Sequence, residues 1–169
     1  GVARAIAQAL VRQGFRVKLA DTSYEEVRIA RMAGLETYYG DPISSHADQF
    51  LELVGIGRLF AMSRRARWNT LACMKYRTEF GPKRVFSLRS AEEQEENNRK
   101  RPADEFQAPR LFGADITYQK FASLLAKGAE IKPINLNKEF DLEDYKEKNG
   151  TSLIPLFLLT SDGKLRVVN

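Results

Sequence analysis

Gly1-Val2-Ala3 opens an amphipathic stretch, and Asp21 stands 18 residues after Ala3, at the end of an alternating apolar segment. Small residues at a helix start leave backbone N–H groups open to an anion, and glycine lets a pyrophosphate approach the chain. The third glycine position of the dinucleotide fingerprint also accepts alanine, which fits Ala3. A carboxylate about 20 residues further on accepts bonds from both ribose hydroxyls and repels a 2′-phosphate. Asp21, followed by Thr22, therefore favours NAD or an adenosine nucleotide over NADP. The competing reading is a strand-end aspartate that caps the next helix.

Other residues fit the same chemistry. Gly40-Asp41-Pro42 closes the next alternating segment, where an adenine edge would lie, although a plain turn uses the same residue types. Ser63-Arg64-Arg65-Ala66-Arg67 follows a further apolar segment. Basic residues at the carboxyl end of a parallel strand face the ligand crevice, so Ser63 and Arg64 are candidates for phosphate contact, or the arginines are simply solvated. Asn69, in the first turn of the following helix, could bind a ligand or support the helix start.

Catalytic groups are scarce. His46 and Cys73 are the single histidine and cysteine. A cysteine-cluster zinc site, a multi-histidine metal centre and an internal disulfide are therefore excluded within these residues. His46 sits between capping serines and Ala47 and reads as exposed, while Cys73 between Ala72 and Met74 reads as a buried small hydrophobe. None of the six tyrosines has lysine four residues later, so the Tyr-x-x-x-Lys acid pair of short-chain reductases is missing. A nucleotide site without bond-making machinery is the expectation.

The elements that must position these residues alternate. Ala3, Ile6, Ala7 and Leu10 predict a helix ending at Gly14; residues 15–20 predict a strand ending on Asp21. Ser23 and Glu26 form a capping-box pattern ahead of a helix to Gly34, and residues 35–39 read as a strand. Ser44 or Ser45 caps a helix carrying Phe50, Leu51 and Val54 and ended by Gly55. Residues 59–62 and 85–88 are strands around a helix with Trp68, Leu71, Ala72 and Lys75 along it. Strict alternation indicates a parallel sheet with crossover helices. Residues 1–90 thus form an α/β domain, 91–110 a charged helix and linker, and 111–169 a small α+β module. That module is expected as a Thr117-capped helix, a strand over 130–136, a helix over 141–148 and a hairpin turning at Ser161-Asp162-Gly163.

Charge is uneven. The 169 residues carry a net +5, with 15 Lys/Arg against 8 Asp/Glu in residues 1–90 and 8 against 8 in residues 111–169. A basic half is compatible with a phosphate-bearing ligand, nucleic acid or an anionic membrane surface. No stretch approaches the roughly 20 apolar residues of a membrane span, and no signal-peptide pattern is visible, so the chain reads as cytosolic.

The series Gly1-Val2-Ala3, Gln13-Gly14-Phe15-Arg16-Val17, Asp21, Gly40-Asp41-Pro42, Asn69 and Val85-Phe86-Ser87-Leu88-Arg89 resembles the RCK or KTN (TrkA-N) domain. These domains are cytosolic nucleotide-binding regulators of potassium channels, potassium uptake systems and cation–proton antiporters. Leu111-Phe112-Gly113, Ile154-Pro155-Leu156-Phe157 and Asp162-Gly163-Lys164 are similar to the C-terminal region of NhaP-type bacterial sodium/proton antiporters. The resemblance implies a Rossmann sheet with the ligand at its carboxyl edge. Gly1, Val2 and Ala3 would meet pyrophosphate, Asp21 the adenosine ribose, and Asp41 the adenine, with Ser63 and Arg64 lining the pocket. The ligand, NAD(H) or AMP, ADP or ATP, would act as a signal.

The resulting expectation is a regulatory, non-enzymatic part of a monovalent cation–proton antiporter. It would lie on the cytoplasmic side of a bacterial inner membrane, joined to a membrane antiporter domain upstream and paired as a homodimer. A free-standing NAD-dependent oxidoreductase and a nucleic-acid-binding protein are the rivals; the first lacks its catalytic pair, and the second lacks aromatics interleaved with its basic residues. In the strand order 3-2-1-4-5-6 the first strand is central. The first strand and the front of the glycine loop are expected ahead of Gly1, as about ten residues, unless a strand of the second module or of a partner takes their place.

Overall fold

The computed structural model describes residues 1–91, 107–136, 141–150 and 153–168. Most of the expected charged helix and linker lies outside them. Helix α1 (Val2–Arg12) buries Val2, Ile6, Ala7 and Leu10 along one face, and Gly14 leaves it in the left-handed conformation, φ +85°. Strand β1 (Lys18–Asp21) is shorter than the alternation over 15–20, because its parallel partner β2 (Glu36–Tyr39) begins opposite Lys18. Between them α2 (Tyr24–Met32) starts at Ser23, whose Oγ accepts from the Glu26 amide. The capping box is only half made. Asp21 Oδ1 takes the Ser23 amide at 2.8 Å, and the Glu26 carboxylate turns toward Gly1 and Arg4.

Helix α3 (Ser45–Phe50), capped by Ser44, ends before Leu51 and Val54, which were expected inside it. The segment after it is held from elsewhere in the chain. Arg16 Nη1 donates to the Val54 carbonyl and Lys18 Nζ to that of Glu52 at 3.0 Å, so residues 51–55 are fastened to the amino end of β1. Arg16 also forms a bidentate pair with Glu36, which holds that carboxyl below its usual range. Strands β3 (Leu59–Ala61) and β4 (Val85–Ser87) are parallel and flank α4 (Ala66–Phe80). The face that α4 buries is Asn69, Ala72, Cys73 and Tyr76. Trp68 and Leu71, 41% and 37% exposed, turn outward.

Beyond β4 the sheet continues as two isolated parallel bridges, Ser87 with Arg110 and Arg89 with Thr117. Helix α5 (Tyr118–Ala126) is capped by Thr117 Oγ1, α6 (Leu142–Asn149) follows, and β5 (Phe157–Leu159) and β6 (Leu165–Val167) form the expected antiparallel hairpin. The strand expected over 130–136 is absent: these residues have no ladder, and Pro133 lacks the N–H that one would need. Among the described residues the architecture is mixed α/β, with two small parallel sheets and one hairpin.

One apolar cluster joins both parts of the chain. Val2, Ile6 and Leu10 of α1 pack with Phe86, Leu88, Leu111, Phe112 and Phe121. Leu111 is fully buried, so Leu111→Ala is expected to destabilise by about 2–5 kcal/mol. Urea unfolding read at Trp68, which lies in the other half, should report the whole loss. A transition at Trp68 left unchanged would show that the halves unfold separately.

Candidate functional site

A cavity of about 1130 Å³ opens between α1, β1 and β3, with residues 41–43 and α4 on its far side. Gly1, Val2 and Ala3 line it at the start of α1, and Asp21 and Thr22 line it at the end of β1. Asp41, Ser63, Arg64 and Asn69 complete the set of expected residues found there. Gly40 does not line it. Its amide donates to the Asp21 carbonyl at 3.0 Å, and a Cβ there would stand 3.0 Å from Tyr38 Oη, at φ +147°. Gly40 thus turns the chain tightly off β2 and delivers Asp41 to the cavity.

The polar groups divide into occupied and available. Asp21 uses Oδ1 for the Ser23 amide; its Oδ2 has no hydrogen bond among the described residues. Asp41 Oδ1 accepts from the Ile43 amide at 3.0 Å. Both carboxylates combine the turn-closing role of an Asx residue with a second oxygen left for another donor. Asn69 is 1% exposed, and its amide is taken by the backbone. Oδ1 accepts from the Ser63 amide at 2.7 Å, and Nδ2 donates to the carbonyls of Ser63 and Leu88 at 2.9 and 3.2 Å. It positions the loop that carries Ser63 and Arg64, tying the end of β3 to the chain beyond β4.

At the start of α1, Glu26 Oε2 lies 3.7 Å from the Gly1 nitrogen and 3.5 Å from Arg4 Nη1. Arg4 Nη1 is buried and has no hydrogen-bond partner among the described residues. A Cβ at Gly1 would meet Glu26 at 3.6 Å, an ordinary contact, so protein packing alone does not demand glycine there. Arg4 also lines the cavity and was not singled out from sequence. Its place three residues after Gly1, one helical turn on, was the available signal. Arg65 and Trp68 line the same mouth. The cavity lining thus brings together cationic side chains, a helix N-terminus and carboxylates, with the Glu26 carboxylate beside the α1 start.

His46 is exposed and bonds Tyr38 Oη through Nδ1 at 2.8 Å; Cys73 is 3% exposed. Among the described residues no three His, Cys, Asp or Glu side chains converge on a possible metal position, and no helix is long and apolar enough to cross a membrane. Comparison with family models, curated proteins and solved structures gave no match.

Tyr76 holds the far wall. Its Oη donates to the Pro42 carbonyl at 2.6 Å, and burial, aided by the charge of Asp48, pushes the phenol up to about 12. Because the folded value lies above the unfolded one, the stabilisation is complete below the unfolded value of about 10 and disappears as pH rises through about 12. A tyrosinate absorbance step near pH 12 is expected, and Tyr76→Phe should abolish it together with the stability loss between pH 10 and 12. Retention of the step in Tyr76→Phe would refute the assignment.

Proposed function

We propose that this chain is the nucleotide-binding regulatory part of a monovalent cation–proton antiporter. In this reading it carries a Rossmann-type sheet of the RCK or TrkA-N kind. The ligand is NAD(H) or an adenine nucleotide, held by Gly1, Val2, Ala3, Asp21, Thr22, Asp41, Ser63 and Arg64, and it acts as a signal. The observation that carries the reading is the meeting, in one cavity, of the α1 start with the carboxyl ends of β1 and β3. Crevices at the carboxyl ends of parallel strands are where such folds take their ligands.

A regulator of this kind acts on the membrane antiporter domain from the cytoplasmic side of a bacterial inner membrane. The basic first half suits an anionic leaflet nearby. Ligand shifts the equilibrium between two arrangements by its different affinity for each. Pairing into a homodimer is supported by the outer face of α4, where Trp68, Leu71 and Met74 recur every three residues and are 41%, 37% and 46% exposed.

Thermal unfolding with NAD, NADH, AMP, ADP and ATP tests the reading. A ligand at 100 times its Kd stabilises by about 2.7 kcal/mol, so at least one of the five should raise Tm by several degrees. Light scattering should give about twice the chain mass. Absence of any shift, with no calorimetric heat for any of the five, overturns the proposal. Tight retention on DNA would favour a nucleic-acid partner instead.

A further inference from the structure

The hairpin of β5 and β6 has one guarded edge and one open edge. The Thr160 amide donates to the Lys164 carbonyl at 3.0 Å, and the Val168 amide to the Leu156 carbonyl at 3.1 Å. Backbone directions alternate along an antiparallel strand, so Leu158 faces β6 while the amides and carbonyls of Phe157 and Leu159 point away from it. Among the described residues nothing bonds those outward groups. On the other edge, Arg58 Nη1 donates to the Leu165 carbonyl, and Lys164 and Arg166 put charge along β6. Charged side chains and covering groups are how edge strands avoid stray pairing. Among the described residues β5 has neither.

The residue pattern of β5 belongs inside an assembly. Leu153 to Leu159 reads Leu-Ile-Pro-Leu-Phe-Leu-Leu, and no charged side chain stands between Leu153 and Ser161. A near-continuous apolar run marks a strand covered on both faces. Yet Leu158 and Leu159 are 36% and 48% exposed. The strand is also held in place from beneath. Phe157 stacks on Phe60 at 5.6 Å and meets Phe112 edge-on at 5.3 Å. The open edge is therefore already ordered, and a second strand that joins it pays little for ordering this one.

We propose that β5 pairs with β5 of a second copy of this chain, antiparallel about a two-fold axis at Leu158. Symmetry and charge select this occupant. The outward groups lie at Phe157 and Leu159, evenly placed about Leu158. The two-fold therefore sets each Phe157 opposite Leu159 of the other copy and closes four backbone hydrogen bonds. An uncharged edge selects neither an acidic nor a basic peptide; it suits a strand as apolar and uncharged as itself, which a second copy supplies. The two Leu158 side chains then cover one another. The two Arg166 side chains stand three strand spacings apart, about 14 Å, so their like charges are screened. This edge is separate from the outer face of α4. A contact so short belongs to the weak class of interface, so it forms in concentrated solution and adds to α4 pairing without replacing it.

Amide hydrogen exchange by NMR at about 50 µM and about 1 mM tests this. At the higher concentration the Phe157 and Leu159 amides should exchange at least about 5-fold more slowly, whereas Leu158, already facing Arg166, should not change. Leu158→Lys and Leu158→Glu each set like charges opposite one another and should abolish the slowing; an equimolar mixture of the two should restore it. Leu158 is exposed, so both variants should fold, which urea unfolding read at Trp68 checks. A second readout is covalent. Residues opposite in a non-hydrogen-bonded pair have Cα atoms about 4.5 Å apart, within disulfide reach, so oxidised Leu158→Cys should give a linked dimer. Arg166→Cys, on the same face, should stay unlinked, and Cys73 is buried and does not compete. Four results overturn the proposal: slow exchange at both concentrations, which shows the edge covered within one chain; no slowing at the higher one; a mixture that fails to restore it; or equal linking of the two cysteines. None of these readouts depends on nucleotide, so the proposal and the proposed function fail separately.

Discussion

Asp21→Ala is expected to weaken nucleotide binding by about 1.5–3 kcal/mol, roughly 10- to 150-fold in Kd, as for lost hydrogen bonds to a charged group. The side chain ends β1, lines the cavity and spends only Oδ1 on the protein, at the Ser23 amide. Its other oxygen is the one that can receive ribose hydroxyls. Folding stability should fall by no more than about 1 kcal/mol, because the Ser23 amide lies near solvent and water replaces the lost acceptor. Asp21→Asn separates the two roles. It keeps an acceptor for Ser23 but removes the charge, so stability should return while much of the affinity loss remains. Titration calorimetry with the nucleotide that gives the largest thermal shift reads the first effect, and urea unfolding reads the second. Affinity equal to that of the unaltered chain in both variants would refute the ribose assignment.

Asn69→Ala should produce the opposite pattern, a large stability loss of about 2–4 kcal/mol. The side chain is buried and makes three bonds to backbone: to both polar groups of Ser63 and to the Leu88 carbonyl. Truncation leaves these groups without partners where water reaches them poorly, and leaves a small void beneath the end of β3. The Ser63–Arg64 loop loses its tether as well, so the affinity for any phosphate-bearing ligand should fall with it. Asn69→Asp retains the shape and an acceptor for the Ser63 amide but cannot supply both donated bonds, so it should not rescue stability. Urea midpoints followed by Trp68 fluorescence measure the effect. A loss below about 0.5 kcal/mol would place Asn69 among ordinary surface substitutions and remove its positioning role.

Much of the local structure was legible because its causes lie within a few residues. The 3.6-residue spacing of Val2, Ile6 and Leu10 makes α1 whatever surrounds it, and Ser23, Ser44 and Thr117 each accept the hydrogen bond that starts a helix. Gly14, Gly34 and Gly128 terminate helices in the left-handed region. Alternation located four parallel strands to within a few residues. The carboxyl-edge candidates followed from that order, and all but Gly40 line one cavity.

Other features were decided by partners distant in the chain, and no local pattern carries them. Where residues 51–55 lie is set by Arg16 and Lys18, more than thirty residues earlier, which donate to the carbonyls of Val54 and Glu52. The outward turn of Trp68 depends on Asn69, whose amide has to reach Ser63 and Leu88. The Ser23–Glu26 pattern is a capping box by sequence, but its glutamate is turned toward Arg4. Residues 130–136 have the composition of a strand but join no ladder among the described residues. Sequence alone located the helix starts at Ser23, Ser44 and Thr117 and the four parallel strands, since propensity and capping act at short range. Tertiary structure decided which faces are buried, which polar atoms remain available at the cavity, and that β1 and β3 line that cavity together, because burial and hydrogen bonding are settled only where separate segments meet.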